Sequence, residues 1–93
     1  MVMPRYRASV DANQKEIVDA LKAIGCDVWV IGRPVDLLCG IGKHNYLIEC
    51  KPEGSRPRKD QKEQQEWIKN WRGQVRIAKT PEEAVRLVTR AYK

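Results

Sequence analysis

The chain has 93 residues, of which 42% are apolar and 32% are charged, and its formal net charge is +6. This composition is typical of a globular rather than a disordered protein, and no apolar run approaches the ~20 residues that span a bilayer. The charged N-terminal stretch MVMPRYRASVDANQ lacks the apolar segment of a signal peptide, so we expect one cytoplasmic domain over residues 1–93, with a core at about 11–90. The surplus positive charge favours polyanionic partners without identifying one.

The few cysteines and histidines exclude several site classes. Cys26, Cys39 and Cys50 are odd in number and lack CxxC spacing, which predicts free thiols rather than a disulfide framework or a zinc site. His44 is the only histidine and lies in a glycine-flanked turn. Nucleophilic catalysis of the Ser-His-Asp or Cys-His type is therefore poorly supported.

Apolar residues at helical spacing predict a first helix over residues 12–24. Asp11 or Asn13 is expected to cap its N-terminus and Gly25 to end it, whereas residues 1–10 are expected to be irregular or weakly extended. The periodic apolar residues are Ile17, Ala20, Leu21 and Ile24.

Three short strands are predicted to follow. CDVWVIG and VDLLCGI are separated by Pro34, and a turn over residues 42–45 joins VDLLCGI to NYLIECK. Tight connections of this kind indicate an antiparallel meander.

The second half predicts a loop over 52–58, a helix over about 59–71, a strand in QVRIAK and a last helix over 81–91. Thr80 is expected to cap that last helix in a capping box with Glu83. The order α-β-β-β-α-β-α implies a crossover and a mixed sheet flanked by helices. One face of the second helix carries Gln64, Trp67, Ile68 and Trp71, and both tryptophans are expected in the core.

Charged residues at the end of the third strand form the candidate site. Glu49 and Lys51 lie on one face because side chains alternate along a strand, and a hairpin brings Asp36 beside them. Two adjacent carboxylates favour a hard cation such as Mg²⁺, to which the Cys50 backbone carbonyl could add a ligand, and Lys51 could orient water or steady a phosphate. A plain surface ion pair is the alternative, because D…ExK patterns also arise by chance.

The motif RPVDLL…YLIECK, in this order of elements, resembles the PD-(D/E)XK nuclease superfamily. Downstream, QQEWIKNWRGQVRIAKTPEEAVRLV resembles small phage and prophage members close to the VRR-NUC domain. The likeness covers roughly residues 11–90. It departs from the motif at Val35, which separates Pro34 from Asp36.

The resemblance implies a restriction-endonuclease-like core and Mg²⁺- or Mn²⁺-dependent DNA cleavage in a bacterial or phage-infected host cell. It implies Asp36 and Glu49 as metal ligands, Lys51 as the catalytic lysine and Gln64 as the family's helix glutamine. A first-helix glutamate, here Glu16, would complete the metal site. A homodimer acting on branched DNA such as four-way junctions is a further implication.

Basic residues around the candidate site predict phosphate contacts. No aromatic interleaving supports single-strand stacking, and no base readout is visible, so structure-selective or weakly sequence-selective cutting is expected. The predicted DNA-binding residues are Arg33, Arg56, Arg58, Lys59 and Lys62.

Two other function classes stay open. A nucleic-acid-binding module without catalysis would keep the basic residues but would not need Asp36, Glu49 and Lys51 together. An accessory subunit of a phage replication or packaging complex is the other alternative.

Overall fold

The computed structural model describes the backbone of residues 5–52, 54 and 62–92, and the side chains of residues 13–52, 54 and 62–89. The predicted order of elements is confirmed across this part of the chain. The elements are α1 (Arg5–Ala23), β1 (Asp27–Val30), β2 (Leu37–Ile41), β3 (His44–Cys50), α2 (Lys62–Asn70), β4 (Val75–Ala78) and α3 (Pro81–Tyr92).

The four strands form one mixed sheet in the order β1-β2-β3-β4. β1, β2 and β3 pair antiparallel, and β4 pairs parallel to β3 after the crossover through α2. The turn between β2 and β3 has positive φ at Gly42 (58°) and Lys43 (68°). Positive φ at both central residues matches the twist of a two-residue hairpin, so this turn fixes the register that pairs Leu37 with Ile48. The predicted meander and mixed sheet are thus confirmed.

One face of the sheet is covered and forms the core. Side chains alternate along each strand, so every second residue of β2 and β3 points at α1 and α3. Leu37, Tyr46 and Ile48 are fully buried on this face. The other core residues are Ile17, Leu21, Cys26, Cys39, Cys50, Ala78, Ala84 and Val88, and the three cysteines are free as predicted.

The opposite face of the sheet, which we call the open face, is only partly covered. Trp29 on β1 and Leu38 on β2 are paired across the sheet and are 72% and 38% exposed. Ile77 on β4 is also exposed, at 41%. The expectation that helices cover both faces therefore holds for the face that forms the core and only in part for the other.

α2 lies over the open face without entering the core. None of its residues is buried, Trp67 is half-buried, and Trp71, just past its end, is 44% exposed. The prediction that both tryptophans belong to the core is therefore wrong. The periodicity placed them on one helix face correctly, but the two indoles stack on each other and stay partly exposed.

α1 begins earlier than predicted, at Arg5 rather than residue 12. Residues 5–10 are therefore helical, and Asp11 and Asn13 lie inside the helix rather than at its cap. The physical reason is that the stretch from Arg5 to Ala23 contains no glycine or proline, so nothing in its sequence interrupts the helix. The Asn13 side-chain amide donates to the Lys79 carbonyl (3.1 Å) instead of capping. No helix in the described residues is both long and apolar enough to cross a membrane.

The start of α3 agrees with the sequence prediction. The Glu83 amide donates to the Thr80 hydroxyl (3.1 Å), which is the expected N-cap contact. The Glu83 carboxylate accepts from the amide of Lys79 (2.7 Å), one residue before the cap. These contacts fix the chain direction between β4 and α3.

The two faces of the sheet predict unequal losses of stability at two adjacent leucines. Leu37→Ala empties a fully buried position and should lower the free energy of unfolding by about 2–5 kcal/mol. Leu38→Ala removes the same atoms from the open face and should cost about 1 kcal/mol or less. Urea unfolding followed by circular dichroism measures both, and equal losses would contradict the assignment of the two faces.

Candidate functional site

The ends of β2 and β3 bring the predicted carboxylates together. Asp36 directly precedes β2, and Glu49 and Cys50 end β3. The Cys50 amide donates a hydrogen bond to Asp36 Oδ2 (2.8 Å), so a side chain continues the ladder where the backbone pairing stops. The register expected from the hairpin is therefore confirmed, and it places Asp36 beside the Glu49–Lys51 segment.

Glu49 is a buried carboxylate whose two oxygens differ in their surroundings. Its side chain projects from the open face, but the residue is only 6% exposed. Lys51 Nζ lies 3.4 Å from Glu49 Oε2, whereas the buried Glu49 Oε1 has no hydrogen-bond partner among the described residues. A buried carboxylate oxygen without a partner costs free energy unless a cation or donor satisfies it.

The electrostatic surroundings raise the pKa of Glu49 to about 7. Burial is the largest cause, since it penalises the charged form, and the negative charge of Asp36 adds to it. The positive charge of Lys51 opposes both effects. Lys51 alone therefore does not offset the cost of ionising Glu49 beside Asp36.

Gln64 of α2 connects the lysine to the segment before β2. Lys51 Nζ donates to Gln64 Oε1 at 3.5 Å, a long hydrogen bond, and Gln64 Nε2 donates to the Pro34 carbonyl at 3.1 Å. An amide on an apolar helix face needs a hydrogen-bond partner, and Gln64 has two polar partners. Both contacts hold the amide oxygen toward the ammonium.

A cavity of about 630 Å³ opens beside this cluster. It is large enough for a small ligand. Its walls come from the segment before β2, the end of β3 and one side of α2. The lining residues are Gly32, Arg33, Pro34, Glu49, Glu63, Gln64 and Trp67.

The donor set fits a hard divalent cation. Asp36 and Glu49 supply carboxylate oxygens, and Mg²⁺ in proteins is usually held by one or two carboxylates with water and phosphate. In an extended strand the N–H and C=O of one residue point to the same neighbouring strand, so the Cys50 carbonyl lies on the Asp36 side. Burial, with the charges of Asp36 and Glu49, raises the pKa of the Cys50 thiol to about 12, which leaves the thiol protonated and unsuited as a ligand.

The remaining predicted site residues have no described contact with Asp36, Glu49 or Lys51. Arg33 is exposed at the cavity and Lys62 is exposed at the start of α2. Glu16 is exposed on α1, and the described residues contain no group of three or more His, Cys, Asp and Glu side chains suited to a metal. Arg56, Arg58 and Lys59 lie outside the described residues.

Two contributors were not assigned to the site from the sequence. The Pro34 carbonyl holds Gln64, and Trp67 shares the cavity with Glu49. A signal for Trp67 was present, because it follows Gln64 by three residues and so lies on the same helix face. No sequence pattern indicates a backbone carbonyl as the partner of a distant glutamine.

Comparisons with protein-family models, curated proteins and solved structures find no match to this chain. The chemistry of the site must therefore be argued from its own residues.

The raised pKa of Glu49 predicts that the difference in stability between wild type and Glu49→Gln changes with pH, measured in EDTA to exclude metal. The folded state binds the Glu49 proton more tightly than the unfolded state, whose pKa is near 4.5, so this group stabilises the fold below about pH 4.5. That contribution disappears as the pH rises through about 7. Glu49→Gln should therefore gain about 1–3 kcal/mol relative to wild type between about pH 5 and pH 8.

Urea unfolding at these pH values measures the difference. The exposed Glu66→Gln on α2 is the control and should show no comparable trend. A wild-type minus Glu49→Gln difference that does not change with pH would contradict the burial of charge at Glu49.

Proposed function

We propose that this chain is a divalent-metal-dependent DNA endonuclease, a hydrolase that cleaves phosphodiester bonds. The observation that carries the proposal is the Asp36–Glu49–Lys51 cluster, in which Glu49 lines an open cavity and one of its buried carboxylate oxygens has no hydrogen-bond partner among the described residues. The α/β fold with a mixed four-stranded sheet is consistent with the restriction-endonuclease-like core that the motif implies. A structural ion pair would not need the second carboxylate, whose charge makes Glu49 harder to ionise.

Asp36, Glu49 and the Cys50 carbonyl would hold the metal. A Mg²⁺ or Mn²⁺ ion there would lower the pKa of a bound water and neutralise charge on the scissile phosphate. The chain itself supplies a fixed arrangement of oxygens, because the Asp36 carboxylate is held by the Cys50 amide (2.8 Å) and Glu49 by its burial. Such preorganisation avoids rearranging dipoles during the reaction.

Lys51 is the group proposed to act on the reacting atoms. Its ammonium lies between Glu49 Oε2 (3.4 Å) and Gln64 Oε1 (3.5 Å), so it is aimed at the cluster. From this position it can orient the attacking water and steady the phosphate charge. Gln64 is proposed as a positioning residue for this ammonium.

The basic residues are proposed to bind the DNA backbone on both sides of the cut. The formal net charge of +6, the exposed Arg33 at the cavity and the exposed Lys62 at the start of α2 support this role. Arg56, Arg58 and Lys59 belong to the same proposal through the sequence alone. Each phosphate contact would steepen the salt dependence of binding. The homodimer, the preference for branched DNA and the additional ligand Glu16 stay predictions.

The metal-nuclease proposal predicts cleavage that requires both the cluster and the cation. With Mg²⁺ or Mn²⁺, wild type should cut linear, nicked, flapped or four-way-junction DNA, and EDTA should abolish cutting. Asp36→Ala, Glu49→Ala and Lys51→Ala should each lower the cleavage rate by about a hundredfold or more. Gel assays measure the rate, and the exposed Lys69→Ala on α2 is the matched control.

Metal-independent cutting, or full activity in Glu49→Ala and Lys51→Ala, would sink the proposal. Nucleic-acid binding without cleavage under either metal would favour the non-catalytic module instead. The metal can also be followed without activity, since Mg²⁺ should raise the unfolding midpoint of wild type but not of Glu49→Ala.

Two adjacent glutamines allow a matched test of the positioning role. Gln64→Leu removes both polar contacts of the amide and should slow cleavage by about tenfold, because Lys51 loses its orienting partner. Gln65→Leu changes an exposed neighbour and should leave the rate unchanged. Single-turnover cleavage rates at equal protein stability separate the two, and equal rates would remove Gln64 from the site.

A further inference from the structure

Two tryptophans beside the candidate site are stacked on each other at the surface. The rings of Trp67 and Trp71 have centroids 4.7 Å apart and planes inclined by 24°. Trp71 is 44% exposed, and α2 buries none of its residues. Packing in the core therefore does not account for the presence of two tryptophans at this surface.

The stacked pair lies between two cavities. Trp67 lines the cavity of about 630 Å³ that contains Glu49 and Gln64. Trp71 lines a second cavity of about 550 Å³, whose floor is the open face at Leu38 and Leu47. The aromatic surface thus leads from the Asp36–Glu49–Lys51 cluster along the sheet.

Cations flank this surface at both ends. Arg33 lines the first cavity and Lys43 lines the second. A negatively charged backbone lying along the track would meet a cation on either side of the indoles, whereas Glu63 contributes an opposing charge in the first cavity. Aromatic rings with flanking cations are the combination that binds single-stranded nucleic acid without sequence preference.

We propose that the two cavities form a track for single-stranded DNA, in which unpaired bases stack on Trp67 and Trp71 beside the phosphate to be cut. The inference names the substrate class of the site proposed above and rests on that proposal for the role of the track in cleavage. Paired bases in a duplex have their faces covered by neighbouring pairs, so only unpaired nucleotides offer a free face to an indole. The preferred substrates are then DNA molecules with unpaired nucleotides next to the cut.

Gly73 leaves room for the Trp71 ring. A Cβ at this position would lie 2.6 Å from Trp71 Nε1, closer than real contacts allow. Gly73 has no positive φ, so alanine is compatible with the backbone but would displace the indole. Gly73→Ala therefore disturbs the stack without removing an aromatic ring.

The test measures binding of a labelled DNA single strand of about 12 nucleotides by fluorescence anisotropy. EDTA is present so that no cleavage occurs. Trp67→Leu and Trp71→Leu should each weaken binding by about tenfold, whereas Trp67→Phe and Trp71→Phe should retain most of it. Gly73→Ala should weaken binding severalfold. Trp29→Leu is the control, because Trp29 is 72% exposed but lines neither cavity.

A strand of abasic sites separates stacking from phosphate contacts. It keeps the charge but offers no base, so wild type and both leucine variants should bind it with the same low affinity. The track would be overturned if the normal strand did not bind, or if the leucine variants lost equal affinity for the normal and abasic strands. It would also be overturned if Trp29→Leu weakened binding as much as the other variants, or if RNA bound more tightly than DNA.

The two proposals fail in different ways. Metal-dependent cleavage that is lost in Glu49→Ala, with strand binding unaffected by Trp67→Leu, overturns the track and leaves the nuclease. Strand binding that depends on both tryptophans in a chain that never cleaves overturns the nuclease and leaves a binding surface.

Discussion

The burial of the Glu49 carboxylate beside Asp36 is the constraint around which the site is arranged. Burial and the neighbouring negative charge both raise the pKa of Glu49, and Lys51 offsets them only in part. An isolated domain gains nothing from this arrangement, because a buried charge without full compensation lowers stability. The surrounding sheet must therefore hold it in place, and the amide of Cys50 does so by binding Asp36. A carboxylate whose pKa is raised by burial and a neighbouring charge is common at functional sites.

The alternation of side chains along β3 separates stability from chemistry. Tyr46, Ile48 and Cys50 point into the covered face, where they pack against α1 and α3. Leu47 and Glu49 point to the open face, where α2 provides only partial cover. One strand thus anchors the site through one set of residues and presents it through the other. The buried neighbours of Glu49 in β3 therefore anchor the backbone from which its carboxylate projects.

Short-range sequence patterns were enough to predict that the site residues meet, but not how far α2 and its tryptophans are buried over them. The hairpin turn and the alternation of side chains determine that Asp36, Glu49 and Lys51 meet, and both can be recognised in short stretches of sequence. The burial of Trp67 and Trp71 depends on what lies beneath α2, which helical periodicity does not specify. The early start of α1 was missed for a different reason, since no glycine or proline lies between Arg5 and Ala23 and the sequence offers no clear first residue.

The weak attachment of α2 connects the two proposals. α2 buries no residue, so the polar bridge from Gln64 to Pro34 and Lys51 carries much of its positioning. Elements with few buried contacts are those most readily displaced or ordered by a ligand. Trp67 lies one helical turn from Gln64 on the same face, so a base stacked on Trp67 would also restrict the motion of Gln64. Substrate stacking would then hold the amide against Lys51, so binding on the proposed track would help to orient the ammonium that we propose acts on the phosphate.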